Sequence, residues 1–115
     1  MLKKILIIDD EINILRSLEM ILKGEGFVVK KAANLKTAKS LIEKEQFSFF
    51  LLDVMLPDGD GIEFIKQIRK NSNSAVIIMI SGHATVKMAV DATQKGADDF
   101  LEKPLSKDKV IITLN

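Results

Sequence analysis

Apolar runs alternate with helix-like patterns about five times along this chain, and this alternation restricts the fold more than any other feature. Lys4–Ile8, Phe27–Ala32, Phe49–Asp53, Ala75–Ile80 and Asp98–Leu101 read as strands, each a short apolar run bounded by turn formers. The segments between them carry helical spacing. Glu11–Lys23 sets Ile12, Leu15, Leu18 and Leu22 near one face, and Leu35–Lys44 does the same with Leu35, Ala38, Leu41 and Ile42. Ile62–Asn71 brings Ile62, Ile65 and Ile68 into register, and Thr85–Lys95 is a weaker, alanine-rich helix. Gly24 and Gly26 punctuate the end of the first helix and Gly96 closes the fourth. Ser106 is placed to cap a last helix running through Leu114.

Strand–helix alternation with short connections predicts an α/β fold, a parallel sheet covered by helices on both faces, as one domain over residues 1–115. Lys30 and Lys31 place the second strand near a sheet edge. The run Ala75–Ile80 is the most apolar and is expected to be central, because a strand buried on both faces has no polar side.

Several function classes drop out on composition. With 115 residues and 47% hydrophobic content the chain builds a core without staples, and its formal net charge of +1 gives no broad basic field for nucleic acid. The absence of cysteine removes disulfides and thiolate metal sites. Met1-Leu2-Lys3-Lys4 has the basic start of a signal peptide, but Ile5–Ile8 stops at two aspartates, too short for its apolar segment. No apolar run approaches a membrane span, so the expectation is a soluble cytoplasmic domain with no membrane contact. No repeat, low-complexity tract or linker is present, and the stop at Asn115 suggests that the natural polypeptide continues.

The chemistry lies at the strand ends. In Phe49-Phe50-Leu51-Leu52-Asp53-Val54-Met55-Leu56-Pro57-Asp58-Gly59 an acid directly follows four large apolar residues. That exposes Asp53 at the carboxyl end of a strand, where open α/β sheets bind ligands. Asp9 and Asp10 follow the first strand, so if the two strands are neighbours three carboxylates converge. Like charges at that distance raise one another's pKa, and a hard divalent cation, best magnesium, relieves the repulsion. The plainer reading, that Asp9 and Asp10 cap the first helix, explains one aspartate better than two. Ser81 after the fourth run adds a hydroxyl and Lys103 after the fifth a cation able to pair with phosphate or carboxylate. Taken singly, the first is more often a turn cap and the second a surface lysine. Together, acids, hydroxyl and amine at one sheet edge point to an anion-and-metal site.

Asp9-Asp10, Leu52-Asp53-Val54-Met55-Leu56-Pro57-Asp58-Gly59, Ser81-Gly82 and Lys103-Pro104, in this order and spacing, resemble the receiver domain of two-component response regulators across essentially the whole chain. The resemblance implies a flavodoxin-like, doubly wound five-stranded sheet in the order 2-1-3-4-5. It implies a phosphoacceptor regulatory domain rather than an enzyme, with at most slow self-dephosphorylation. Asp53 would take a phosphoryl group from a sensor histidine kinase, with Mg2+ held by Asp9, Asp10, Asp53 and the backbone carbonyl of Met55. Lys103 and Ser81 would bind phosphoryl oxygens, Ser81 and Phe100 would switch together, and Lys103-Pro104 would be a cis peptide. The plainer reading of Phe100 is a core aromatic. Met55 stands where the family often has Asn, and His83 follows Ser81 by two residues; both bear on phosphate lifetime. A homodimer on phosphorylation is a further implication.

Leu56-Pro57-Asp58-Gly59-Asp60-Gly61, Ser81-Gly82-His83-Ala84-Thr85-Val86 and Asp99-Phe100-Leu101-Glu102-Lys103-Pro104-Leu105 resemble the NtrC/NtrX-like nitrogen-regulation subgroup. There the receiver precedes an AAA+ ATPase and a DNA-binding domain, neither of them in this sequence, so transcription is the implied output. A stand-alone receiver, a phosphorelay intermediate and an interaction module that is never phosphorylated are the alternatives. A dehalogenase-type phosphatase also forms an aspartyl phosphate but needs an acid two residues on, where Met55 stands. Gly59-Asp60-Gly61 lacks the third glycine of a dinucleotide loop, Asp58 and Asp60 lack the other ligands of a calcium loop, and His83 has no His or Cys partner for a metal.

Overall fold

A computed structural model describes residues 3–114. Met1 and Leu2 of the basic start, and Asn115, where continuation is expected, lie outside the described residues. The element order is β1 (Lys3–Ile8), α1 (Ile12–Gly24), β2 (Phe27–Ala32), α2 (Leu35–Lys44), β3 (Phe49–Asp53), β4 (Met55–Leu56), β5 (Gly59–Asp60), α3 (Gly61–Asn71), β6 (Val76–Ser81), α4 (Val86–Lys95), β7 (Asp99–Glu102) and α5 (Lys107–Leu114). Five strands form one parallel sheet in the order β2-β1-β3-β6-β7, while β4 and β5 pair with each other as a small antiparallel hairpin. With the hairpin set aside, this is the expected order 2-1-3-4-5.

Side-chain alternation along the strands divides the core into two layers. Leu6, Ile8, Phe50, Leu52, Ile77 and Met79 point to one face, where Ile42, Ile62, Ile65, Ile68 and Ala92 of α2, α3 and α4 cover them. Ile5, Ile7, Leu51 and Ile78 point to the other, against Leu15, Leu18 and Leu22 of α1 and Val110 and Leu114 of α5. Strand β2 lies at the edge, and Lys30 and Lys31 are exposed there as the charge pattern predicts. One expectation changes. Ile12 is 60% exposed because α1 begins at it and turns its buried face only from Leu15 onward. The most apolar run, β6, lies in the sheet interior between β3 and β7, as expected.

Helix starts are capped mostly by a side chain two or three residues back, and in one case by a side chain remote in sequence. Asn34 accepts the Thr37 N–H at 2.8 Å, Thr85 Oγ1 accepts that of Met88 at 3.1 Å and Ser106 Oγ accepts that of Lys109 at 3.1 Å. Asp58, in the hairpin turn, accepts the N–H groups of Leu35 (2.8 Å) and Lys36 (3.0 Å) at the start of α2. Helix α4 is fastened at its far end: Gly96 terminates it in the left-handed conformation (φ 116°), and the Arg69 guanidinium of α3 donates to the Gly96 carbonyl (3.2 Å). Arg69 also donates to the Ala75 carbonyl (2.6 Å) and to Asp98 (3.1 Å), and Lys95 lies 3.3 Å from Glu63. At the other end Val86 is 82% exposed.

Candidate functional site

Parallel pairing in register brings the strand ends level. Ile8 of β1 pairs with Leu52 of β3, so Asp9 and Asp53, one residue on, stand side by side. Asp53 in turn pairs with Ile80, and Ser81 with Glu102, which sets Lys103 just beyond. The register, rather than any local motif, assembles the site at the carboxyl edge.

Asp9, Asp10 and Asp53 each offer a carboxylate oxygen, all within 4.8 Å of one another. Asp9 is fully buried, Asp53 is 6% exposed and Asp10 is exposed. Asp9 Oδ1 accepts the Glu11 N–H at 2.9 Å, so the helix-cap role accounts for one oxygen of one aspartate. Its Oδ2 lies 3.0 Å from Lys103 Nζ, close enough for an ion pair but not aligned for a hydrogen bond. A buried carboxylate oxygen without a donor is costly unless a cation faces it. The all-oxygen, anionic donor set fits a hard divalent ion rather than a soft one.

Lys103 Nζ is 3.2 Å from Asp53 Oδ2 and 3.1 Å from Glu11 Oε1. Burial works against the ammonium, but Asp9, Glu11 and Asp53 outweigh it and hold Lys103 above the usual lysine range. Asp53 is shifted upward, first by burial and then by the charge of Asp9, against the pull of Lys103 and a long N–H contact from Met55 (3.4 Å). An acid whose charged form is disfavoured by its surroundings and held by one cation is characteristic of functional sites.

Ser81 is buried at the end of β6, and its Oγ accepts the His83 N–H at 3.0 Å. A depression of about 270 Å³ is lined by Asp10, Asp53, Ser81, Lys103, Glu11, Met55, Gly82 and His83. An apolar groove of about 400 Å³ between α1 and the loop after β7 is larger, so chemistry rather than size marks the site. The Met55 side chain is 74% exposed, turned away from the core. Phe100 is half-buried and packs against the layer covered by α2, α3 and α4, apart from the depression. The Lys103-Pro104 peptide is cis, as the resemblance implies.

Two residues of the site escape the sequence reading. Glu11 is a third partner of Lys103, and its only signal is a third acid after Asp9-Asp10. Gly61 opens α3 directly against β3, donating its N–H to the Val54 carbonyl at 2.7 Å. The segment after Asp53 reads as turn chemistry and folds as the hairpin β4–β5.

Comparison with known proteins gives one consistent result. Residues 5–115 match the model of the response regulator receiver domain. A Rickettsia bellii protein described as an NtrX-like response regulator is 39% identical over 112 residues, 96% of this chain and 23% of that protein. The alginate biosynthesis transcriptional regulatory protein AlgB of Pseudomonas aeruginosa is 35% identical over 107 residues, 93% of this chain and 24% of that one. The chain thus spans about a quarter of the length of the curated relatives it matches. Among solved structures, the beryllofluoride-activated NtrC4 receiver domain dimer superposes with a TM-score of 0.94 at 43% identity, covering 98% of this chain and 93% of that one. A Burkholderia pseudomallei response regulator with a phosphorylated aspartic acid, calcium ion and citrate gives 0.93 at 30% identity, covering 98% and 66%.

Proposed function

As this chain belongs to the response regulator receiver domain family, a family of phosphoacceptor regulatory domains, we propose that Asp53 is its phosphoacceptor and a sensor histidine kinase its donor. One observation carries the assignment: Asp53 is the buried carboxylate that meets both the Asp9–Asp10 pair and the Lys103 ammonium. In the proposed step a carboxylate oxygen of Asp53 forms a bond to phosphorus as the phosphorus–nitrogen bond of a phosphohistidine breaks. The bonding pair leaves with the imidazole nitrogen, and an aspartyl phosphate results.

Lys103, already 3.2 Å from Asp53 Oδ2, binds a phosphoryl oxygen and compensates its charge. Ser81 Oγ accepts from His83 and keeps its own proton for donation to a second phosphoryl oxygen. Asp9, Asp10, Asp53 and the Met55 carbonyl would hold a divalent ion, magnesium in this reading, which supplies positive charge against the carboxylates and the transferred group. Positioning and electrostatics then provide most of the catalysis. Movement of Ser81 toward the phosphoryl group would open space for the Phe100 ring, making these two residues the switch and the surface from Ser81 to Leu101 the output face.

The output proposed is control of transcription through further domains, supported by the AlgB and NtrX-like relatives that this chain covers only in part. A homodimer on phosphorylation is supported by the activated NtrC4 receiver, which was solved as a dimer. Among the described residues no helix is long and apolar enough to cross a membrane, and a cytoplasmic location follows from the kinase partner proposed.

Intact-protein mass spectrometry after incubation with acetyl phosphate tests the assignment. The wild-type chain should gain one phosphoryl group only when magnesium is added. Equal uptake by Asp53→Asn would sink it.

A further inference from the structure

Three carboxylates surround the single ammonium of Lys103, and only Asp9 and Asp53 belong to the proposed phosphoacceptor centre. The third, Glu11, is placed unusually. It occupies the position before α1 with an extended backbone (φ −84°, ψ 109°), where a side chain ordinarily caps the helix, yet its carboxylate caps nothing. Asp9 Oδ1 instead takes up the N–H of Glu11 itself. The Glu11 side chain reaches across to Lys103 Nζ at 3.1 Å. It is also the most exposed member of the group: its side chain is 60% accessible, against 13% for Lys103 and 9% for Asp53. Glu11 and Lys103 line both the polar depression and the neighbouring apolar groove, so their ion pair stands on the border between them.

We propose that Glu11 is a positioning residue, a resting-state counter-ion that shares Lys103 with Asp9 and Asp53 and must release it when a phosphoryl group arrives. This rests on the assignment of Lys103 to the phosphoryl group. An ammonium has three donors, and at rest Glu11 and Asp53 engage two of them while Asp9 competes for the charge from 3.0 Å. A doubly charged group on Asp53 draws them inward more strongly than an exposed carboxylate, whose attraction is screened by water. Loss of the Glu11 pair is then part of the cost of activation, and one of the three contacts that hold Lys103 at rest lies on the surface. Asp9 and Asp53 are themselves members of the proposed centre, whereas Glu11 is not, so the Glu11 pair is the one that can be given up without disturbing a metal ligand or the acceptor.

The test is a double-mutant cycle on the whole chain, with beryllofluoride as the phosphoryl stand-in at saturating magnesium, followed by 1H–15N NMR. Glu11→Gln should bind beryllofluoride about two- to fivefold more tightly, the size expected when one partly exposed ion pair is given up. In the Lys103→Gln background the same change should have no effect. Glu11→Asp keeps the charge but shortens the reach, so it should behave like Glu11→Gln. A gain that persists without Lys103, an Asp variant indistinguishable from wild type, or no gain in any variant would each overturn the proposal. Wild-type protein that fails to take up beryllofluoride would overturn the phosphoacceptor reading as well; normal uptake with unchanged Glu11 variants would overturn this one alone.

Discussion

A β-carbon on Gly61 would stand 1.9 Å from the carbonyl oxygen of Asp53. Helix α3 therefore begins in direct backbone contact with the strand end that carries Asp53, and the 2.7 Å bond from Gly61 N–H to the Val54 carbonyl locks the approach. The same glycine that starts the helix sets how the backbone turns away from Asp53.

Gly61→Ala should destabilise the fold by about 2 kcal/mol or more, because backbone rather than a flexible side-chain tip must yield. Gly24, in the last turn of α1, has open space around its α-carbon, so Gly24→Ala should stabilise by about 0.5–1 kcal/mol. Urea unfolding of both variants checks the contrast. Equal effects would mean that the contact at Gly61 relaxes freely.

Magnesium should raise the melting temperature of the wild type, since a ligand of the folded state adds about 1.4 kcal/mol at ten times its dissociation constant. Asp10→Asn should remove most of that increment while changing the metal-free melting temperature little, Asp10 being exposed. Differential scanning calorimetry with and without magnesium decides this, and an undiminished increment in Asp10→Asn would remove Asp10 from the ligand set.

Stability should fall in acid partly through Asp58. The Leu35 N–H, and then that of Lys36, hold its carboxyl below the usual carboxylate range. A group with a depressed folded-state pKa stabilises fully above its unfolded pKa and loses that contribution as pH falls through the folded value. The stability gap between wild type and Asp58→Asn should therefore be widest near neutrality and shrink below about pH 4. Thermal melts across that range measure it, and a pH-independent gap would separate the two amide bonds from the charge of Asp58.

Arg69→Met should cost about 3 kcal/mol, because the carbonyls of Ala75 and Gly96 lose a charged donor in a partly buried setting. Denaturant titration gives the value directly. A loss under about 0.5 kcal/mol would show that water replaces the guanidinium without penalty.

Sequence patterning revealed what is local or repetitive. Strands β2 and β3 and helix α2 fall at the expected boundaries, because apolar runs and helical spacing act over a few residues. Asp53, Asp9, Asp10, Ser81 and Lys103 could be brought to one edge by assuming that the strands run parallel, and the geometry gathers them there. Contacts between distant segments were not legible. Asp58 looks like a turn residue, and nothing around it reveals that its carboxylate caps a helix 22 and 23 residues away. Arg69 reads as one more polar residue on α3 until the Gly96 carbonyl is seen in front of it. Ile12 misleads because helical spacing does not tell which turn first meets the sheet.

The fastening of α4 at Gly96 makes that helix a lever with its fulcrum at one end. Arg69 and Lys95 bind it near its carboxyl terminus, while its start at Val86 lies only five residues from Ser81 and is open to solvent. The ten residues of α4 span about 15 Å, so a tilt of about 10° would carry the free end by roughly 2.6 Å and leave the anchored end nearly still. If the proposed switch displaced Ser81, this geometry would deliver the movement as a graded sweep, largest on the exposed Val86 and smaller at Val90, and strengthening or cutting the Arg69 fastening would set its gain.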